Sequence, residues 1–201
     1  MRCHLCLTAA VLTVLAMPAL GVSQDPVKAR TYSGQQVLLY PDGTWKPVVE
    51  AIDRENWQGL GDIGTVTLLS RRKYDDYEKA TFSFVHGVRD DPGLKITHND
   101  WDLLFGNGDA DAFDVTMVSD DRSRIKDLGK MSWPDLTEVP LLPAYPMPTR
   151  EKTMKAVVGH IYEIHVKDDD SDLYALFRVE WLEPGDSCVI SWVVVPAPEE
   201  K

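Results

Sequence analysis

Alternation of apolar and polar residues, the mark of a strand with one face hidden, recurs along this chain more than any other pattern. It is plainest near the C-terminus, where residues 161–167, 173–182 and 188–195 read as three successive antiparallel strands. Asp168-Asp169-Asp170-Ser171-Asp172 and Glu183-Pro184-Gly185-Asp186 supply the connections. In the middle strand Leu173, Ala175, Phe177, Val179 and Trp181 make one apolar face. Tyr174, Leu176, Arg178 and Glu180 make the other, expected to be half solvated as antiparallel sheets allow. Near the N-terminus, residues 36–40 and 44–49 flank Pro41-Asp42-Gly43. Proline presets φ, aspartate bonds the backbone and glycine takes positive φ, so the segment predicts a hairpin. Further strands are expected over 65–71 and over 79–86, where Ala80, Phe82, Phe84 and His86 share a face. Trp101, Leu103 and Phe105 alternate likewise, and Phe113, Val115 and Met117 share a face on a strand reaching about residue 118.

Two stretches break the rhythm. Residues 50–62 are weakly periodic, end in glycines and read as a linker with at most a short helical turn. Residues 119–150 open with Asp120-Asp121-Arg122-Ser123-Arg124 and continue through Pro134, Pro140, Pro143, Pro146 and Pro148. Proline removes ladder donors, so a long ordered loop or a wrap across the domain is expected there rather than a strand. The pattern as a whole predicts an all-β fold, an antiparallel β-sandwich or partly open barrel. It would form a single domain over 24–201, with an N-terminal hairpin at 36–49 and a main body at 64–195.

The first residues change the setting. Arg2, an apolar stretch over 5–15, the break at Pro18 and the small-residue segment Ala19-Leu20-Gly21-Val22-Ser23 read as a cleavable secretory signal over 1–23. The apolar run is shorter than the roughly 20 residues a membrane span needs. The expected destination is secreted or periplasmic. Removing the signal takes one arginine and no acidic residue, so a net charge of −11 becomes −12. Nucleic acid and anionic lipid both require a positive patch, and so acidic a chain argues against them. No later segment is apolar enough to cross a membrane. The expected partner is a protein or a small molecule.

Candidate chemistry is sparse. Cys188 alone of three cysteines survives cleavage, so no internal disulfide is expected, and its apolar surroundings suggest a buried thiol. His86, His98, His160 and His165 lack the close spacing of zinc ligands. Asn107, Asp109 and Asp111, and separately Asp168, Asp170 and Asp172, place alternating carboxylates that could converge on calcium. Both lack the glycine and glutamate of an EF-hand, and Asp and Asn are also ordinary turn residues. No nucleophile elbow and no phosphate loop is present, so a non-enzymatic protein is expected. Trp133, with Leu141 and Leu142, offers a potentially exposed apolar contact, which marks loops 87–100 and 119–150 as the expected binding surface.

Phe82-Ser83-Phe84-Val85-His86-Gly87, then Trp101-Asp102-Leu103-Leu104-Phe105, Tyr174, Phe177, Val179 and a closing strand with Trp192 follow an order similar to that of the HmuY-like secreted haem-binding proteins. The resemblance spans roughly 74–195 and implies an all-β fold and a haem held by two side chains, usually histidines. No local motif around those ligands is matched here. His86 and His98, or a methionine such as Met131 or Met147, are chemically capable of holding iron. The leading expectation is thus an exported, non-enzymatic binding or interaction module, with His86, His98 and Trp133 as candidate contacts. Carriage of haem or another small ligand, and a calcium-stabilised structural domain, stand as alternatives.

Overall fold

The computed structural model describes residues 25–31, 36–49, 52, 61–85, 101–115, 123–136, 152–167 and 171–197. In chain order its strands are β1 (Val27–Arg30), β2 (Gln36–Leu39), β3 (Trp45–Pro47), β4 (Ile63–Leu69), β5 (Thr81–Phe82) and β6 (Leu103–Phe105). They continue with β7 (Ala112–Asp114), β8 (Arg124–Lys130), β9 (Thr153–Lys155), β10 (His160–Lys167), β11 (Asp172–Glu183) and β12 (Ser187–Val195). Two helical turns, α1 (Arg71–Tyr74) and α2 (Tyr77–Ala80), lie between β4 and β5.

The C-terminal alternation builds the centre. β10, β11 and β12 pair antiparallel as expected and are flanked by β8 and β4, giving the order β4-β12-β11-β10-β8. A four-stranded sheet, β5-β6-β7-β9, lies against one face of it. Phe82, Phe84, Leu103, Phe105 and Phe113 from the smaller sheet meet Tyr162, Ile164, Phe177, Val179, Ile190 and Trp192 from the larger. Among the described residues this is two antiparallel layers around a shared apolar core, with no closed barrel. Cys188 is fully buried in that core, as its sequence context suggested. A third sheet, β1-β2-β3, contains the expected hairpin. Its turn is built as read: Gly43 has φ 83°, Thr44 N donates to Asp42 Oδ1 at 2.8 Å, and Tyr40 N donates to the Thr44 carbonyl at 2.9 Å.

Four expectations need correction. Residues 119–150 do contain a strand, β8, on the edge of the main sheet. An edge strand need bury little: Ile125 enters the core while Lys126 and Asp127 stay in partial contact with water and Lys130 is exposed, so alternation is faint. The strand expected over 79–86 begins instead as α2, capped by Asp76 accepting from Lys79 N, and turns extended only at Thr81. Residue 71 belongs to α1 rather than to the strand before it. Finally, β11 is not half solvated. The pairing with β12 shifts between Val179 and Trp181, so Glu180 is an extra, bulged residue. Trp181 thereby leaves the Phe177 face and joins Val37 and Val189 on the other, where Leu176 is also fully buried.

Gly106, which follows β6 with φ 72°, holds the start of α1 close to the sheet, its carbonyl accepting from Arg72 N at 2.8 Å. A Cβ there would lie 2.9 Å from both the Ala110 carbonyl oxygen and Ser70 Cα. Gly106→Ala is therefore expected to cost about 2 kcal/mol, combining left-handed strain with overpacking. A lower urea midpoint at unchanged slope would show it.

Candidate functional site

The second face of the main sheet, away from the Phe177 core, carries the groups with chemical interest. After β8 the chain makes a 3-10 turn over Trp133–Asp135, closed by Ser132 Oγ donating to Asp135 Oδ2 at 2.6 Å. This turn lays Trp133 over Ile161, Leu176, Val193 and Val195. The indole Nε1–H donates to Ser191 Oγ at 3.0 Å, and Ser191 Oγ–H donates to Glu180 Oε1 at 2.5 Å. Arg178 Nη1 bonds the other carboxylate oxygen of Glu180, and Arg178 Nε donates to the Met131 carbonyl at 3.1 Å. The chain of bonds returns to the segment it began from. Trp133, expected as an exposed contact, is only 3% exposed, because the sheet's second face is apolar around Leu176 and requires a cover.

Toward the opposite end of that face, His165 stacks on Tyr174 with ring centroids 4.1 Å apart and planes 8° from parallel. Its Nε2 lies 2.9 Å from Asp172 Oδ1, while Lys167 Nζ pairs with the other oxygen of that carboxylate. His165 is 5% exposed, and its Nδ1 is buried without a hydrogen-bond partner. Burial lowers its pKa from 6.5 and nearby Arg124 and Lys167 reinforce this, against the opposing pull of Asp172. A neutral folded imidazole means that the unfolded chain binds more protons below about 6.5. Stability is thus retained in full above that pH and falls as pH drops through it. Urea midpoints between about pH 5 and 8 are expected to show this slope, and His165→Phe, which keeps the stack on Tyr174, to flatten it. Asp172 adds a separate loss, since hydrogen bonds from Lys167 and His165 hold its carboxyl below 3.8 and their benefit fades only under that pH.

The two acidic stretches fare differently. In the first, Asp111 Oδ1 accepts from Gly185 N at 2.6 Å, Asp109 Oδ1 accepts from Asp111 N at 3.2 Å, and Asn107 bonds Asp114. These side chains diverge to tie turns instead of converging on an ion. In the second, Asp172 is engaged as described, and Asp168 and Asp170 lie outside the described residues. His86, His98 and Met147 lie outside them too. Met131 packs beside Trp133. Among the described residues no three of His, Cys, Asp and Glu are grouped to hold a metal ion. Burial drives the Cys188 thiol pKa well up, which removes it as a nucleophile near neutral pH.

The surface most unlike the rest is the β1-β2-β3 sheet. Its registers align Val27 with Leu39 and Leu39 with Trp45, and, two residues along, Ala29 with Val37 and Val37 with Pro47. Period two puts these rows on one face and Lys28, Leu38 and Lys46 on the other. The Ala29–Val37 row packs on Trp181 and Val189 of the main sheet. The Val27–Leu39–Trp45 row projects beyond that contact, with exposures of 65%, 45% and 50%. Trp45 straddles the two, its ring centroid 4.7 Å from that of Trp181.

No family model, no curated protein and no solved structure matches this chain. The site must therefore be read from its own chemistry. Among the described residues, an exposed apolar row on a three-stranded sheet offers a surface that can bury against another surface. Sequence reading missed it because β1 has only Val27 and Ala29 to announce it, and because one face of the hairpin is half covered and half open. The legible signal was Trp45, an aromatic in a short hairpin strand next to Lys46 and Pro47.

Proposed function

We propose that this chain is an exported, non-enzymatic interaction module that binds a separate protein through the Val27–Leu39–Trp45 row. The observation that carries the reading is the concentration of exposed apolar side chains. Of the six large hydrophobics exposed among the described residues, four (Val27, Leu39, Trp45 and Val49) belong to the N-terminal sheet and its edge. Isolated exposed apolar residues are ordinary, whereas a cross-strand row of them marks a contact surface. The row is continuous with an interface the molecule already makes, through Trp45 on Trp181. A net charge of −11, or −12 once residues 1–23 are removed, opposes a second copy of the chain as occupant and favours a partner that is apolar at its centre and basic at its rim. Export is supported by the order of Arg2, the apolar stretch and the small residues before position 24.

Site-specific photo-crosslinking in cells making the full chain tests the reading. A photoreactive side chain at position 39 is expected to yield a discrete adduct that is lost in Val27→Lys. The same group at position 79, on α2, should yield none. No adduct at 39, or identical adducts at both positions, would contradict the proposal. A Soret shift on haemin titration of a chain giving no adduct would move the reading to haem carriage instead.

A further inference from the structure

We propose that Asn107 is a site of spontaneous covalent modification, where the Gly108 backbone nitrogen closes on the Asn107 side chain and converts it to aspartate and isoaspartate. The chain has three asparagines, Asn56, Asn99 and Asn107, and only the last is followed by glycine. Ring closure needs a following residue that is free to rotate and an amide nitrogen that can reach the side-chain carbonyl carbon. Gly108 sits in the turn between β6 and β7, exposed, with nothing within 4 Å of the position a Cβ would occupy. The turn's backbone bonds are made around it: Gly106 N donates to the Ala112 carbonyl at 2.8 Å and Ala112 N to the Asp109 carbonyl at 3.3 Å. Among the described residues the Gly108 amide donates no hydrogen bond, so no ladder contact holds the attacking nitrogen back.

The chemistry balances with water as the sole co-reactant. The Gly108 nitrogen forms a bond to Asn107 Cγ and gives up its proton. The bond from Cγ to the side-chain nitrogen breaks, and ammonia leaves with that proton. Water then opens the five-membered imide at one of its two carbonyls. Opening at the backbone carbonyl leaves the chain running through Cγ as isoaspartate, and opening at Cγ gives aspartate. Nothing is oxidised or reduced.

The product has a structural consequence. The Asn107 side chain hydrogen-bonds the half-buried carboxylate of Asp114 on β7, which also accepts from Thr153 Oγ1 of β9 at 2.6 Å. Burial already raises the pKa of Asp114, and the two hydrogen bonds oppose that rise. Replacing the amide by a carboxylate turns a donor into an acceptor and sets a second negative charge against Asp114. The β6-β7-β9 edge of the smaller sheet is therefore where the change is felt. The isoaspartate form also lengthens the turn by one backbone atom.

Incubation of the folded full chain in mildly alkaline buffer, followed by peptide mapping and enzymatic isoaspartyl labelling, tests the proposal. The peptide carrying Asn107 is expected to gain the mass difference between NH2 and OH and to take the label, while those carrying Asn56 and Asn99 do not. Gly108→Ala is expected to lose the label. In Asn107→Asp, hydrogen exchange at residues 112–114 and 153–155 is expected to quicken. An Asn107 that stays intact while Asn56 or Asn99 converts would overturn the proposal, as would undiminished labelling in Gly108→Ala.

Discussion

Phe177→Ala is expected to lower folding stability by about 4 kcal/mol. Phe177 lies on β11, the middle strand of the main sheet, and is fully buried. Its ring stacks on Tyr162 at 5.0 Å with planes 13° apart, and meets Phe113 edge-on at 5.0 Å and Phe84 at 6.4 Å. Three aromatic contacts from both layers thus depend on one side chain. Tyr162 cannot move into the space left, because its hydroxyl donates to the Lys155 carbonyl at 2.7 Å and accepts from Val157 N at 3.0 Å. A pocket held open on all sides keeps the cavity penalty that a collapsing site would relieve. Since domains of this size are stable by only about 5–15 kcal/mol, much of the margin would go. Urea unfolding at unchanged slope measures it, and a loss under about 2 kcal/mol would mean that the two layers do not meet at Phe177.

Glu180→Ala comes second, with an expected loss of about 3 kcal/mol. The cost does not come from the carboxylate's own bonds so much as from what it leaves behind. Arg178 would keep a guanidinium partly buried without its anion, and the hydroxyl of Ser191 would lose its acceptor. Glu180→Gln keeps the shape and the Ser191 acceptor and should cost less, about 1–2 kcal/mol. Trp133→Phe removes the Nε1 donor and also part of the ring volume from a buried site, and should cost about 2 kcal/mol. The cycle of Trp133→Phe with Ser191→Ala should show coupling, since the two share one hydrogen bond. If Glu180→Ala proved as mild as removal of the exposed Glu183, the bulge at 180 would not hold a buried network.

The β-sheet core was legible because burial on one face writes alternation into the sequence, as it does over 161–167 and 173–179. The turn at Pro41-Asp42-Gly43 was legible because each residue has its own mechanical reason to be there. What failed to show has physical causes. Glu180 reads as an outward polar residue, yet a one-residue bulge inverts every side chain after it and carries Trp181 to the other face. β8 hides because its flanks look like charged loop and its apolar contacts come from Ile125 and Leu128, which join different clusters. Trp133 looked like an exposed contact because a lone tryptophan beside a proline gives no sign of the apolar face awaiting it. His86, His98, Asp168 and Asp170 fall outside the described residues, and the candidates that are placed, Trp133, Met131, Asn107, Asp109, Asp111 and Asp172, are all engaged within the fold.

Fluorine NMR of the chain labelled with fluorotryptophan, titrated with a soluble paramagnetic agent, most directly tests how apolar surface is divided between the sealed second face and the open N-terminal row. Loss of one resonance in Trp45→Phe and of another in Trp133→Phe assigns the two signals. The expected result is strong broadening of the Trp45 signal with the Trp133 signal untouched. Equal broadening of both, or a Trp45 signal as protected as that of Trp133, would contradict it.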